Sequence, residues 1–162
     1  MSLTNKIFAL TGGCSGIALS TAKLLSQRGA TVCLGDIDSS ARQAAETYFT
    51  SKSVPFMITS LDVSKKDRVE AWLDAIIAKF ERLDGAVNAA GIIGKDHGKS
   101  TVADQDDDEW DKIIAVNLTG CMYCMRAELK RISPGGSIVN IASIHGTKGS
   151  FLPSTCSHPL SY

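Results

Sequence analysis

Thr11-Gly12-Gly13-Cys14-Ser15-Gly16-Ile17-Ala18 is the stretch whose reading decides the fold of this chain. It follows an apolar run, Ile7-Phe8-Ala9-Leu10, and opens a segment carrying Ile17, Leu24 and Leu25 before Arg28. The pattern is strand, glycine turn, helix. Glycines in such a turn permit φ > 0 and let backbone N–H groups approach a ligand with no Cβ between. The helix start then offers free N–H donors and the positive end of its dipole to an anion such as a pyrophosphate. The spacing is G-G-x-x-G, not the strict G-x-G-x-x-G, and a glycine turn after a strand also serves purely structural ends.

Working outward, strand-like runs alternate with helical patterns. Strands are expected at 6–11, 31–36, 55–60, 83–89 and 137–142, and helices at 16–28, 39–51, 66–81 and 107–131. The third helix has the clearest face, with Val69, Trp72, Leu73, Ile76, Ile77 and Phe80 at helical spacing. Ser64-Lys65-Lys66-Asp67 ahead of it resembles a capping box. Strict alternation implies βαβ units with right-handed crossovers, hence an α/β fold on a parallel sheet covered on both faces. Residues 92–106 read as a long loop, and no repeat or domain linker interrupts the chain.

Bulk properties narrow the function classes. With 162 residues the chain is long enough for one domain with a real core. Lys+Arg and Asp+Glu both number 17, so no charge excess points to nucleic acid or an anionic membrane. No apolar run reaches membrane-spanning length and no signal peptide precedes the first strand, so a cytoplasmic protein is expected. Five cysteines, at 14, 33, 121, 124 and 156, suggest reduced thiols. Cys121 and Cys124 form a C-x-x-C inside an apolar helical pattern without further ligands, which reads as a buried helix face and not a metal site.

An open α/β sheet binds ligands at the carboxyl ends of its strands. Asp36 ends the second strand, 20 residues after Gly16. A carboxylate there accepts from both ribose hydroxyls of NAD and repels the 2′-phosphate of NADP; the alternative is that Asp36 or Asp38 only starts a turn. Asp62, after the third strand, either accepts from an adenine amino group or begins the next loop.

Taken together, Thr11–Ala18, Asp36, Asp62-Val63, Asn88-Ala89-Ala90-Gly91, Val116-Asn117-Leu118-Thr119-Gly120 and Ser137-Ile138-Val139-Asn140-Ile141-Ala142-Ser143 resemble, in order and spacing, the short-chain dehydrogenase/reductase family. The resemblance covers residues 5 to about 155. It implies a Rossmann fold of about five parallel strands in the order 3-2-1-4-5 over residues 1–155, followed by a divergent tail, 156–162. It implies a small-molecule substrate and NAD(H) in preference to NADP(H). Gly12, Ser15, Gly16 and Ile17 would flank the pyrophosphate, Asp36 the ribose, and Asp62 and Val63 the adenine. Asn88, Ala90 and Gly91 would lie beneath the nicotinamide. Two departures are local: Ala18 stands where the family usually has glycine, and Ala89 replaces a second asparagine, which would loosen that strand end.

The family's hydride transfer uses Asn, Ser, Tyr and Lys. The Tyr phenol, with a reference pKa of about 10, is lowered by the Lys ammonium. Asn117 and Ser143 match the first two. The Tyr-x-x-x-Lys positions hold Cys156 and Leu160, with Pro159 between them, a residue that costs roughly 3 kcal/mol or more inside a helix. The chain therefore reads as a C-terminally truncated member that keeps the dinucleotide half and lacks the proton-transfer pair. Cys156, His145 or Tyr162 could substitute; the plainer readings are a spare thiol, a loop histidine and a frayed end. Non-redox chemistry in the old cleft and a non-catalytic partner module are the alternatives. Strand 137–142 would be an apolar sheet edge, and helix 107–131 would expose Trp110, Ile113, Cys121, Met125 or their equivalents, so a homo-oligomer through either is expected.

Overall fold

A computed structural model describes residues 2–95 and 102–143. Five strands run β1 (Ile7–Thr11), β2 (Thr31–Asp36), β3 (Phe56–Ser60), β4 (Gly85–Asn88) and β5 (Ser137–Asn140). All pair in parallel, in the order β3-β2-β1-β4-β5. The helices are α1 (Gly16–Gln27), α2 (Ser39–Ser51), α3 (Lys66–Phe80), α4 (Asp107–Ile114) and α5 (Cys121–Leu129), with a short 3-10 turn at Val102–Asp104.

The period-two alternation of the strands creates two cores. Ile7, Ala9, Cys33 and Ala86 point to one face and pack with Trp72, Leu73 and Ile76 of α3 and Cys124 and Ala127 of α5. Leu10, Val32, Leu34 and Val87 point to the other, against Ala22 of α1 and Ala45 and Phe49 of α2. Both faces are therefore covered, as a parallel sheet requires. Ala18 is buried at 2% exposure, so the extra methyl is accommodated.

Three expectations need correction. Helix 107–131 is not one continuous α-helix: a π-helical segment, Ala115–Gly120, separates α4 from α5. Gly120 sits against the Val63 backbone, where an added Cβ would lie 2.8 Å from Val63 Cγ2, so the wound segment brings this helix onto the β3–α3 loop. The capping box does not form. Lys65 is the N-cap of α3 without a side-chain bond, because the Ser64 hydroxyl donates to Asp62 Oδ1 (2.7 Å) instead. Finally, Ile113 is buried and Trp110, Cys121 and Met125 are half-buried; the exposed apolar residues here are Leu118, Met122 and Leu129. β5 does form one edge of the described sheet, with Val139 exposed.

Candidate functional site

β1 has β2 on one side and β4 on the other, so the strand order reverses between β1 and β4. The loops leaving them head to opposite faces and open a crevice at the carboxyl ends. The loops touch at its base: a Cβ on Gly12 (φ +61°) would lie 2.9 Å from Ala90 Cα. Gly12 is thus required by close approach as well as by its backbone angle. Gly16 (φ +50°) differs, since a Cβ there meets nothing within 4 Å and would project into open space.

Thr11 holds this junction. Its hydroxyl accepts from the N–H groups of Ala89 (3.2 Å) and Ala90 (3.3 Å) and donates to Asn88 Oδ1 (3.5 Å). The strand end expected to loosen at Ala89 is pinned from β1. Asp36, 8% exposed, performs the same task on the other side. Its carboxylate accepts from the Cys14 N–H (3.0 Å) and the Asp38 N–H (3.1 Å). Arg42 Nη1 donates to the carbonyls of Asp36 and Ile37, so this nearby cation is turned onto the backbone. Asp62 Oδ1 accepts from the Ser64 N–H and hydroxyl, closing its loop.

The crevice, about 740 Å³, brings together Gly12, Ser15, Gly16, Ile17, Asp36, Asp62, Val63, Ala90 and Gly91. Ile17, Ile37 and Ile93 are each more than 60% exposed and also line it, giving apolar walls against which flat rings can rest. Among the described helices that begin from an extended cap residue, α1 alone has neither a side-chain cap nor an acid in its first turn. Asp38 caps α2 and Asp106 caps α4, while α3 carries Asp67. Among the described residues, no cap side chain or first-turn acid offsets the positive end of α1.

A second cavity, about 320 Å³, adjoins the first across Ala89–Ile93 and Ile141. It brings Asn88, Asn117 and Ser143 together with Cys121, Met122, Met125 and Asn140. Asn117 sits in the π-helical segment and pairs with one backbone unit: its Nδ2 donates to Ile92 O (2.9 Å) and its Oδ1 accepts from Ile92 N (2.8 Å). It fixes the loop that separates the two cavities. His145 and Cys156, like Leu160 and Tyr162, lie outside the described residues. Among the described residues, no group of His, Cys, Asp and Glu is placed to hold a metal, and no helix is long and apolar enough to cross a membrane.

The described thiols are poor nucleophiles. Burial, then the charge of Asp36, pushes Cys14 up to about 12, and burial raises Cys33 to about 12. Burial, with Glu128 nearby, also raises Cys121 and Cys124. Sequence reasoning missed Thr11 at the β1–β4 junction, Lys112 at the crevice, and Glu128 behind Asn88 of the second cavity. A threonine closing a strand and a lysine in an acidic helix carry no pattern of their own. Glu128 sits in a helix whose spacing gives no warning of full burial.

A family model described as enoyl-(acyl carrier protein) reductase matches residues 12–153. Short-chain dehydrogenase/reductase ABA4 of Pyricularia oryzae is 59% identical over 150 residues, covering 92% of this chain and 56% of that protein. Chanoclavine-I dehydrogenase ifgE of Penicillium roqueforti is 40% identical over 154 residues, covering 88% of this chain and 58% of the relative. The chain thus spans a little over half the length of the curated relatives it matches. Among solved structures, levodione reductase superposes with a TM-score of 0.87 at 32% identity, over 95% of this chain and 60% of that one. NAD+-bound xylitol dehydrogenase gives 0.87 at 26% identity, over 99% and 61%. Crevice, strand order and these likenesses agree: the chain belongs to the short-chain dehydrogenase/reductase family of oxidoreductases.

Proposed function

We propose that the chain binds a nicotinamide dinucleotide along the crevice, NAD(H) in preference to NADP(H). The observation that carries this is Asp36: a carboxylate at the end of β2, opening onto the same crevice as the glycine turn. The cradle fits the group. Gly12, Ser15, Gly16 and Ile17 supply backbone and the uncapped helix end for the pyrophosphate. Asp36 serves the ribose and Asp62 and Val63 the adenine. Ala90 and Gly91, with Asn88 behind them, lie under the nicotinamide. Arg42 spends its Nη1 on two backbone carbonyls, so the charge facing the ribose from the end of β2 is the Asp36 carboxylate. A relative whose structure carries NAD+ supports the same reading.

The bound cofactor would give or take a hydride. Asn117 and Ser143 line the cavity beside the nicotinamide side and would position a small-molecule substrate. His145 and Cys156 are the sequence's candidates to move the proton in place of the family's tyrosine. Because the resemblance sets Cys156 and Leu160 at the Tyr and Lys positions, non-redox chemistry in this cavity is the second reading. Calorimetric titration with NADH tests the proposal: saturable one-to-one binding supports it, and no binding at millimolar cofactor overturns it. Substrate conversion with unchanged NADH absorbance would favour the second reading over hydride transfer.

A further inference from the structure

Asn88 of β4 and Asn140 of β5 are register partners, as are Thr11 and Asn88. Their side chains form a polar row across the carboxyl edge of the sheet. Asn88 Nδ2 spends both protons, one on Asn140 Oδ1 (3.0 Å) and one on Glu128 Oε2 (2.9 Å). Glu128, reaching up from α5, is 0% exposed. Its other oxygen, Oε1, is buried with no hydrogen-bond partner among the described residues.

We propose that Glu128 is a positioning residue: through Asn88 and Asn140 it fixes the ends of β4 and β5 beneath the nicotinamide side of the dinucleotide site. The inference rests on the dinucleotide reading for its functional consequence. A buried carboxylate with one oxygen unpaired is costly, whereas the neutral acid leaves only a hydroxyl there. Burial, opposed in part by the Asn88 hydrogen bond, accordingly raises this carboxyl to about 7. The neutral form accepts from Asn88 and leaves the row in place. Ionisation puts a charge into the core and favours movement of the α5 end away from β4.

The surroundings hold few other titrating groups. β1, β4, β5 and the π-helical segment contribute none. α5 itself carries Cys121 and Cys124, both raised, and Arg126 at its surface. α3 presents Glu70 and Asp74, held by Arg131 and, for Glu70, Lys130 just after α5. The three histidines lie outside the described residues, so the control must keep them.

Glu128→Gln keeps every one of these groups and an oxygen for Asn88. The Asn88 side-chain amide, followed by nitrogen NMR and assigned by its loss in Asn88→Ala, should titrate with a midpoint near 7 in the unmodified chain and not in Glu128→Gln. An amide that does not titrate, or titrates alike in both, overturns the proposal. NADH affinity should fall about fivefold between pH 6 and pH 8 in the unmodified chain and stay level in Glu128→Gln. Equal slopes in the two also overturn it. If NADH binds neither at any pH, the dinucleotide reading fails by itself, and the amide titration still decides the role of Glu128 at the strand ends.

Discussion

The Cys14 backbone N–H donates to Asp36 Oδ2 over 3.0 Å, joining the glycine turn after β1 to the end of β2. One carboxylate therefore shapes the turn and places negative charge on the crevice wall. The same charge, added to burial, holds the Cys14 thiol near 12, so this cysteine is structural.

Gly12 and Gly16 should separate under substitution. Gly12→Ala drives a Cβ into the Ala90 backbone at a positive φ and should cost about 2–4 kcal/mol, read as a lowered thermal midpoint. Gly16→Ala meets open space and should cost only about 1 kcal/mol of backbone strain. Gly16 lines the crevice, so cofactor affinity should suffer more than stability. Equal destabilisation by the two would contradict this assignment.

Two buried carboxyls should give stability opposite slopes with pH. Burial raises Asp84, but hydrogen bonds from Arg82, Lys6 and the Ile7 N–H outweigh it and hold the carboxyl at about 2, against an ordinary 3.8. Its folded value is depressed, so its contribution is present above pH 4 and disappears as pH falls from 4 to 2. With Lys6 and Arg82 both over 40% exposed, it amounts to about 1–2 kcal/mol. Glu128 has the opposite sign. Its folded value is raised from 4.5 to about 7, so stability is full below 4.5 and falls as pH rises through 7, by up to about 3 kcal/mol. Denaturant unfolding at stepped pH should show the acid-side slope reduced in Asp84→Asn and the neutral-side slope reduced in Glu128→Gln.

Association is expected through the exposed side of α5 and its preceding segment, where Leu118, Met122 and Leu129 are exposed, or through the β5 edge. Light scattering at micromolar concentration should report a dimer or larger. Met122→Lys with Leu129→Lys should shift it towards monomer if α5 is the contact. A monodisperse monomer before substitution would contradict the expectation.

Much of this architecture is legible in the sequence because buried parallel strands and amphipathic helices leave strong periods. The expected α2 range, 39–51, is the one observed, and the strand order follows from the alternation and the resemblance. The crevice residues were legible through glycine spacing and the carboxylate at position 36. The π-helical turn was not, because Ile113, Asn117 and Gly120 keep a near-helical spacing, and only hydrogen-bond register distinguishes the two windings. The false capping box has a similar origin: Ser64 has a closer acceptor in Asp62. The Thr11 latch and the Glu128–Asn88–Asn140 row join residues distant in sequence, which no local pattern records.

The most direct test of the dinucleotide assignment is the ratio of NADPH to NADH dissociation constants, measured by calorimetry in the unmodified chain and in Asp36→Asn. A carboxylate facing a 2′-phosphate should make NADH about tenfold or more the tighter ligand, and Asp36→Asn should collapse that ratio towards one. NADPH binding as tightly as NADH in the unmodified chain, or a ratio unmoved by the substitution, would contradict the assignment of Asp36 to the ribose.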